Sequence, residues 1–103
     1  MTQYIEEVDD SYSYAWDEDK SKRCLAARGF GFDFAAEILE FSDPAIQWVD
    51  KRRDYGEVRF ITIGEIDGSV YAVVWTTREH ERRIISARIA SRKERELLNG
   101  NRS

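Results

Sequence analysis

The segment that decides the fold is Arg82-Arg83-Ile84-Ile85-Ser86-Ala87-Arg88, which continues as Ile89-Ala90-Ser91-Arg92-Lys93-Glu94-Arg95. A pair of β-branched residues between arginines predicts a short strand. Ser91 and Glu94 have the spacing of a capping box, in which the serine caps the first turn of a helix and the glutamate reaches back. We therefore expect a strand that delivers arginines to the start of a basic helix.

The arginines of this strand are open to two interpretations. Side chains alternate between the faces of a strand. The predicted faces are Arg82, Ile84, Ser86 and Arg88 on one side, and Arg83, Ile85 and Ala87 on the other. Guanidinium groups are permanently charged planar forks that match phosphate oxygens, which favours an RNA or DNA surface. The simpler alternative is a solvated face on which the arginines pair with Glu57, Glu65, Glu79 or Glu81.

The composition is typical of one small globular domain with a strongly charged surface. The chain has 103 residues, of which 42% are hydrophobic and 35% charged. This length supports a single hydrophobic core, and the composition is not that of a disordered or membrane protein. We expect an acidic, disordered extension at residues 1–11 and one domain at residues 12–100.

Charge is unevenly distributed along the chain. The formal net charge is −4, but residues 1–19 hold seven acids and no base, which leaves 16 bases against 13 acids in the remainder. From Arg78 onward there are eight bases and four acids. Because local fields steer a phosphate backbone, the net charge does not exclude a nucleic-acid partner. The acidic extension is either disordered or lies against this basic region.

Cys24 and His80 are the only cysteine and the only histidine. They offer no internal disulfide, no zinc-ligand spacing and no Cys–His catalytic arrangement. We expect Cys24 in the core, His80 as an exposed turn residue with acid–base catalysis as the alternative, and no metal or cofactor. No segment is apolar enough to span a bilayer and no secretory signal is evident, so we expect a cytoplasmic protein.

The first half of the chain predicts an edge strand at residues 12–16, two helices, and a strand at residues 45–49. Asp17 should cap the first helix and Gly29 should end it, while Asp33 should cap the second and Pro44 should follow its end. The predicted core-facing residues are Cys24, Leu25 and Ala26 or Ala27 in the first helix, and Phe34, Ala35, Ile38, Leu39 and Phe41 in the second.

The second half predicts a polar loop, a hairpin and a last helix. Residues 50–56 place three consecutive bases beside Tyr55, which suits single-stranded RNA but is also typical of an exposed loop. Residues 57–66 and 69–77 should form a hairpin around Asp67-Gly68, with Arg59, Ile61 and Ile63 on one face. The second hairpin strand is apolar on both faces and should be central. The last helix should run from residue 91 to 99 and end at Gly100.

The chain resembles the BrnT family of type II toxins, which are small ribonucleases with a fold similar to that of RelE. The residues that carry the resemblance are Trp16-Asp17, Lys20, Leu25, Arg28-Gly29, Phe32, Ala35-Ala36, Tyr55-Gly56-Glu57, Arg59, Ile63-Gly64, Val73-Val74, Arg83-Ile84-Ile85-Ser86-Ala87-Arg88, Ala90 and Glu94. The resemblance implies an α+β fold: a small, mainly antiparallel sheet of four to five strands with two N-terminal helices and one C-terminal helix.

The resemblance also implies a function and a site. The chain would be a metal-independent endoribonuclease that cleaves cellular RNA, inhibits translation, and is neutralised by a ribbon-helix-helix antitoxin similar to BrnA. It would bind operator DNA only through that complex. The implied catalytic residues are Glu57, Arg59, Arg83 and Arg88, and the candidate RNA-binding residues are Lys20, Lys51, Arg52, Arg53, Arg82 and Arg92. An apolar surface around Tyr71, Val73 and Trp75 would receive the antitoxin.

An alternative is a non-catalytic protein- or RNA-binding module on the same fold. It is favoured by three departures from the family pattern, which usually has Asn at Cys24, His at Arg28 and a tyrosine near Leu98.

Overall fold

A computed structural model describes the chain over residues 13–102, with side chains over residues 13–100. Its elements in order are β1 (Ser13–Trp16), α1 (Glu18–Arg28), α2 (Phe32–Phe41), β2 (Ala45–Val49), β3 (Arg59–Ile66), β4 (Ser69–Arg78), β5 (Glu81–Ile89) and α3 (Arg92–Arg102). This architecture confirms the predicted α+β class. The extension expected at residues 1–11 lies outside the described residues.

The five strands form one mixed sheet in the order β1-β5-β4-β3-β2. β1 runs parallel to β5, and the other three pairings are antiparallel. Asp67 and Gly68 form the β3–β4 turn with φ angles of 52° and 83°, values in the left-handed region that suits a tight hairpin. β4 is central, as its two apolar faces predict.

One face of the sheet, here called the helix-pair face, is covered by α1 and α2. Val73, Trp75, Ile84 and Ala87 of the sheet pack against a cluster of buried helix residues: Cys24, Phe32, Ala35 and Ile38. Tyr71 makes edge-to-face contacts with Phe30 and Phe34. The expectation that Tyr71, Val73 and Trp75 form an open antitoxin surface is therefore wrong, because the helices already cover these side chains.

The opposite face of the sheet, here called the α3 face, is partly covered by α3. Leu98 is completely buried there against Ile61, Ile63, Ala72 and Val74. The last helix thus closes a second, smaller hydrophobic core. Each sheet face accordingly has its own layer of helix.

β5 contains a β-bulge, which the sequence did not predict. Relative to a regular strand, residues before and after the bulge exchange sheet faces. Val74 pairs with Ser86 and Trp75 pairs with Ile84, so Ile85 is an extra residue in the ladder. An extra residue shifts the alternation of side chains by one position. The α3 face therefore carries Arg83, Ile85, Ser86 and Arg88, while the helix-pair face carries Arg82, Ile84 and Ala87. The predicted grouping of Arg82 with Ser86 and Arg88 is wrong for this reason.

Both ends of α1 lie where the sequence predicts them. The start of α2 and the end of α3 differ from the prediction. Asp17 caps α1 and Gly29 ends it in the left-handed region, as predicted. α2 begins one residue before Asp33, with Gly31 as its cap, because the Ser21 hydroxyl accepts a hydrogen bond from the Phe32 N–H at 2.8 Å. α3 continues through Gly100.

Several residues predicted to face the core are exposed, including both Ala26 and Ala27, of which one was expected to be buried. Leu25 of α1 is 55% exposed and Phe41 of α2 is 71% exposed. Both lie on the outer side of their helix, and their apolar character misled the prediction. No helix within residues 13–102 is long and apolar enough to cross a membrane.

α3 is fixed to β5 at its first turn by the predicted capping box. Ser91 N–H donates to the Glu94 carboxylate at 2.8 Å, and Glu94 N–H donates to the Ser91 hydroxyl at 3.2 Å. The same carboxylate accepts two hydrogen bonds from the Arg88 guanidinium, at 2.7 and 2.9 Å. The bonds from Arg88 are the main reason that the pKa of Glu94 falls from 4.5 to about 2.

Replacing Leu98 with alanine should lower the free energy of unfolding by about 2–5 kcal/mol, because it opens a cavity in the smaller core. Leu97→Ala is the matched control, since its side chain is 49% exposed. Urea titration followed by tryptophan fluorescence measures the free energy of unfolding of both variants. Equal destabilisation by the two variants would show that α3 does not pack as described.

The Arg88–Glu94 pair predicts a specific dependence of stability on pH. Because the folded state lowers the pKa of Glu94, its contribution is present above about pH 4.5 and is lost as the pH falls toward 2. Glu94→Gln should cost about 1–2 kcal/mol at neutral pH, and this cost should shrink through that window. Glu96→Gln removes an exposed pair with Arg92 and should cost little at neutral pH. A cost of Glu94→Gln that is constant with pH would contradict the assignment.

Candidate active site

The site is built on a row of side chains that crosses three strands of the α3 face. Arg59 of β3 pairs with Thr76 of β4, which pairs with Arg83 of β5. Paired residues share a face, and neighbouring strands lie about 5 Å apart, so the two arginine backbones are separated by about 10 Å. We call Arg59, Thr76 and Arg83 the arginine row.

Arg59 is held in place from two sides. Its Nε donates to the Glu57 carboxylate at 2.9 Å, and its guanidinium carbon lies 4.2 Å from the centre of the Tyr55 ring. The side chains of Arg59 and Glu57 are 24% and 33% exposed. Both groups are thus ordered, and both remain accessible to a ligand.

The loop that follows β2 is organised by Asp50, whose carboxylate is fully buried. It accepts hydrogen bonds from Arg52 Nε at 2.8 Å, from Arg52 Nη2 at 2.7 Å and from the Tyr55 hydroxyl at 3.0 Å. The Arg52 guanidinium is the main cause of a strongly lowered Asp50 pKa, which desolvation opposes. The Asp50 N–H also donates to the Arg59 carbonyl at 2.8 Å, so the loop is tied to the arginine row.

Arg88 also lies on the α3 face, but its guanidinium is already bound to a carboxylate. Both ends of its guanidinium donate to Glu94, and these bonds are the main cause of its raised pKa. The positive charge of Arg52 opposes that rise in the pKa of Arg88. Arg88 is 31% exposed and pairs with Ala72 of β4, four residues from Thr76, so it is a partly neutralised cation farther along the same face.

Arg83 differs from Arg52, Arg59 and Arg88. Arg52, Arg59 and Arg88 each pair with a carboxylate, from Asp50, Glu57 and Glu94 respectively. No such pair is formed by Arg83 in the described part of the chain, and its side chain is half-buried. Within the arginine row, Arg83 is thus the arginine whose charge no described carboxylate shares, and the exposed Lys51 and Arg53 of the neighbouring loop add further charge for an anionic ligand.

The structure places Arg59, Arg83 and Arg88 on one face of the sheet, with Glu57 bound to Arg59. The candidate RNA-binding residues are spread over several surfaces. Lys51, Arg52 and Arg53 lie on the exposed loop beside the arginine row. Arg82 lies on the helix-pair face, with its guanidinium 4.7 Å from the Trp75 ring. Lys20 lies on α1, beside the edge of β5 that faces away from β4. Arg92 pairs with Glu96 on α3.

Sequence reasoning missed the roles of Asp50 and Thr76. Asp50 accepts the Arg52 N–H at 3.1 Å, which is the side-chain turn that an aspartate two residues before the donor forms, so local spacing contained a signal. Thr76 is buried between the two arginines, and its hydroxyl donates to the Val58 carbonyl at 2.7 Å. Its position depends on strand register and left no signal in the sequence.

The arrangement combines positive charge with one exposed carboxylate. A phosphate over the arginine row would meet Arg83 and Arg59, and Glu57 would lie beside it as a proton acceptor. His80 lies outside the row, in the exposed turn between β4 and β5. Among residues 13–102, no three His, Cys, Asp or Glu side chains are grouped closely enough to hold a metal ion.

Comparison with protein-family models gives a match to most of the chain. Residues 16–94 match the family model described as the ribonuclease toxin BrnT of a type II toxin–antitoxin system. No curated protein and no solved structure matches the chain. The matched range runs from the last residue of β1 to the first turn of α3, contains the arginine row, the 50–56 loop and the Arg88–Glu94 pair, and covers most of the 103 residues. The chain therefore belongs to the BrnT family of ribonuclease toxins of type II toxin–antitoxin systems.

Proposed function

We propose that this chain is an endoribonuclease that cleaves cellular RNA in the cytoplasm and thereby halts translation, with the arginine row and Glu57 as its active site. The observation that carries the proposal is the position of Arg83. It is a half-buried arginine without a carboxylate partner in the described chain, on the same face as an ordered, exposed Glu57–Arg59 pair. A phosphodiester is the ligand that this combination of charges suits best.

The proposed reaction is attack of a ribose 2′ oxygen on the adjacent phosphorus. Glu57 accepts the 2′-OH proton as the O2′–P bond forms, the P–O5′ bond breaks, and water protonates the leaving 5′ oxygen. Arg83 and Arg59 stabilise the extra negative charge on the phosphoryl oxygens. Because the arginines supply the positive charge, the proposed mechanism requires no metal ion.

The 50–56 loop is proposed to hold the RNA strand. Lys51 and Arg53 are exposed and reach outward for phosphates, while Asp50 keeps the loop folded against β3. Tyr55 is fixed by its hydrogen bond to Asp50 and by Arg59 on its ring. Single-stranded RNA suits such a surface, because its bases are free to stack on an aromatic ring while its phosphates contact cations.

The antitoxin partner that a type II family implies is proposed to be a ribbon-helix-helix protein similar to BrnA, with operator DNA bound through the complex. The family assignment supports this proposal. The antitoxin must use a surface other than Tyr71, Val73 and Trp75, since α1 and α2 cover those residues.

A second candidate is a binding module that holds RNA or protein without cleaving it. The observation that favours it is the extent of charge pairing: Arg59 and Arg88 are each bound to a carboxylate. The two departures at Cys24 and Leu98 do not favour it, because both side chains are buried in the two cores. Arg28 is exposed on α1, a helix that covers the sheet face opposite the arginine row.

Arg83→Ala should abolish toxicity and lower RNA cleavage by about 10²–10³-fold, because it removes the charge of the arginine row that no described carboxylate shares. Growth and total RNA integrity after induction of the chain alone measure the effect in a bacterial host, and cleavage of an RNA oligonucleotide measures it in vitro. Arg78→Ala removes an exposed arginine outside the site and should match wild type. Intact RNA and normal growth with folded, soluble wild-type protein would favour the binding module.

Glu57→Gln should lower the cleavage rate by about 10²–10⁴-fold while RNA affinity is retained, because glutamine still accepts the hydrogen bond from Arg59 but takes no proton. Single-turnover cleavage and binding to a 2′-O-methyl oligonucleotide separate the two effects. Glu79→Gln, in the exposed β4–β5 turn, is the charge-matched control. An unchanged cleavage rate would assign the proton transfer to another group.

A further inference from the structure

The outer edge of β5 is only half paired. β1 pairs with β5 from Ser13–Glu81 to Trp16–Ile84 and then ends, because the chain enters α1. Within the described chain, no strand pairs with this edge over residues 85–89. The Cys24 thiol donates to the Ala87 carbonyl at 3.5 Å, so α1 lies alongside this open segment.

A groove of about 270 Å³ lies between α1 and the open edge. Its lining residues are Lys20, Arg23, Cys24, Ala27, Arg28, Phe32, Ile85, Ser86 and Ala87. The α1 residues among them recur at intervals of three and four, so one side of the helix faces the groove. We call this space the α1–β5 groove.

All described charged residues that line the groove are positive. Lys20, Arg23 and Arg28 line it, and no acidic residue does. None of these three forms an ion pair with another described residue. Of the acids at the start of α1, Asp17 caps the helix and Glu18 accepts a hydrogen bond from the Trp16 indole at 3.0 Å, while Asp19 is exposed and is not part of the groove lining. The formal net charge of the chain is −4, so a groove lined by three cations and, within the described chain, by no acid is locally more positive than the protein as a whole.

The groove and the sheet face that carries the proposed active site meet at Ser86. Ser86 lines the groove, and the bulge at Ile85 also places it on the α3 face between Arg83 and Arg88. A strand of RNA that lies on the arginine row can therefore cross the edge of β5 at Ser86 and enter the groove. Its phosphates would pass from Arg83 to Lys20 and Arg23 without meeting an acidic side chain of the lining.

We infer that the α1–β5 groove is a second binding track for the RNA backbone, which extends the substrate beyond the scissile phosphate. This inference rests on the proposed ribonuclease function. An extended peptide is the other occupant that an open strand edge suits. The three cations, the absence of an acid from the lining and the continuity with the arginine row favour RNA.

The test compares a short oligonucleotide of about four nucleotides with a long one of about twelve, a range that matches the site sizes of single-strand binding surfaces. Both carry 2′-O-methyl groups, so that the 2′ oxygen cannot attack, and binding is measured by fluorescence anisotropy at several salt concentrations. The groove variant is Lys20→Gln with Arg23→Gln. The control variant is Lys22→Gln with Lys93→Gln, which removes the same charge from exposed positions outside the groove.

The groove variant should bind the long oligonucleotide about tenfold more weakly, and the slope of log affinity against log salt should fall by roughly 1.4, for two lost phosphate contacts at about 0.7 each. Its affinity for the short oligonucleotide should match wild type. The control variant should match wild type for both. Thermal unfolding confirms that both variants are folded.

Each contrary result has a separate meaning. If the groove variant binds the long oligonucleotide with full affinity and RNA cleavage is intact, the groove does not bind RNA. A peptide is then the remaining candidate occupant. Equal weakening by the groove and control variants shows that only net charge matters and also overturns it. Wild-type protein that binds neither oligonucleotide overturns the proposed function together with the groove.

Discussion

The proposed site depends on one extra residue in the ladder between β4 and β5. Arg83 and Arg88 are five positions apart, and an odd separation places two side chains of a regular strand on opposite faces. The bulge at Ile85 cancels this difference and puts both arginines on the α3 face. It does so while Ile84 and Ala87 stay buried under α1 and α2. One strand can thus stabilise the larger core on one side and present arginines on the other.

Carboxylates control how much of the positive charge on this surface is available. Asp50, Glu57 and Glu94 each fix one arginine in a defined geometry, and all three also tie a loop, a strand end or a helix to the sheet. A buried carboxylate such as Asp50 is costly to leave unpaired, so its arginine is a structural requirement as well as a charge. Arg83 is left outside this pairing within the described chain. The sheet face therefore combines ordered, partly neutralised arginines with Arg83, whose charge no described carboxylate shares.

The departures from the family pattern are explained by packing at two positions. Cys24 lies under α1 with its thiol on the Ala87 carbonyl, where a small side chain fits beside the edge of β5. Leu98 fills the core between α3 and the sheet, so a fully apolar residue suits it. Neither position is on the arginine row. Arg28 instead adds a third cation to the α1–β5 groove, in which Lys20 and Arg23 already lie.

Local signals in the sequence determined much of the fold and the list of site residues. The Asp67-Gly68 turn, the Asp17 cap, the Ser91–Glu94 capping box and the central position of β4 were all predictable, because each depends on residues close together in the chain. Resemblance to a family supplied Glu57, Arg59, Arg83 and Arg88 as candidates. Only the tertiary structure decided which of these arginines share a face, which are paired, and which apolar residues are covered. The bulge, the burial of Trp75 and the exposure of Phe41 depend on partners far away in the chain, and side-chain spacing within one element does not report those partners.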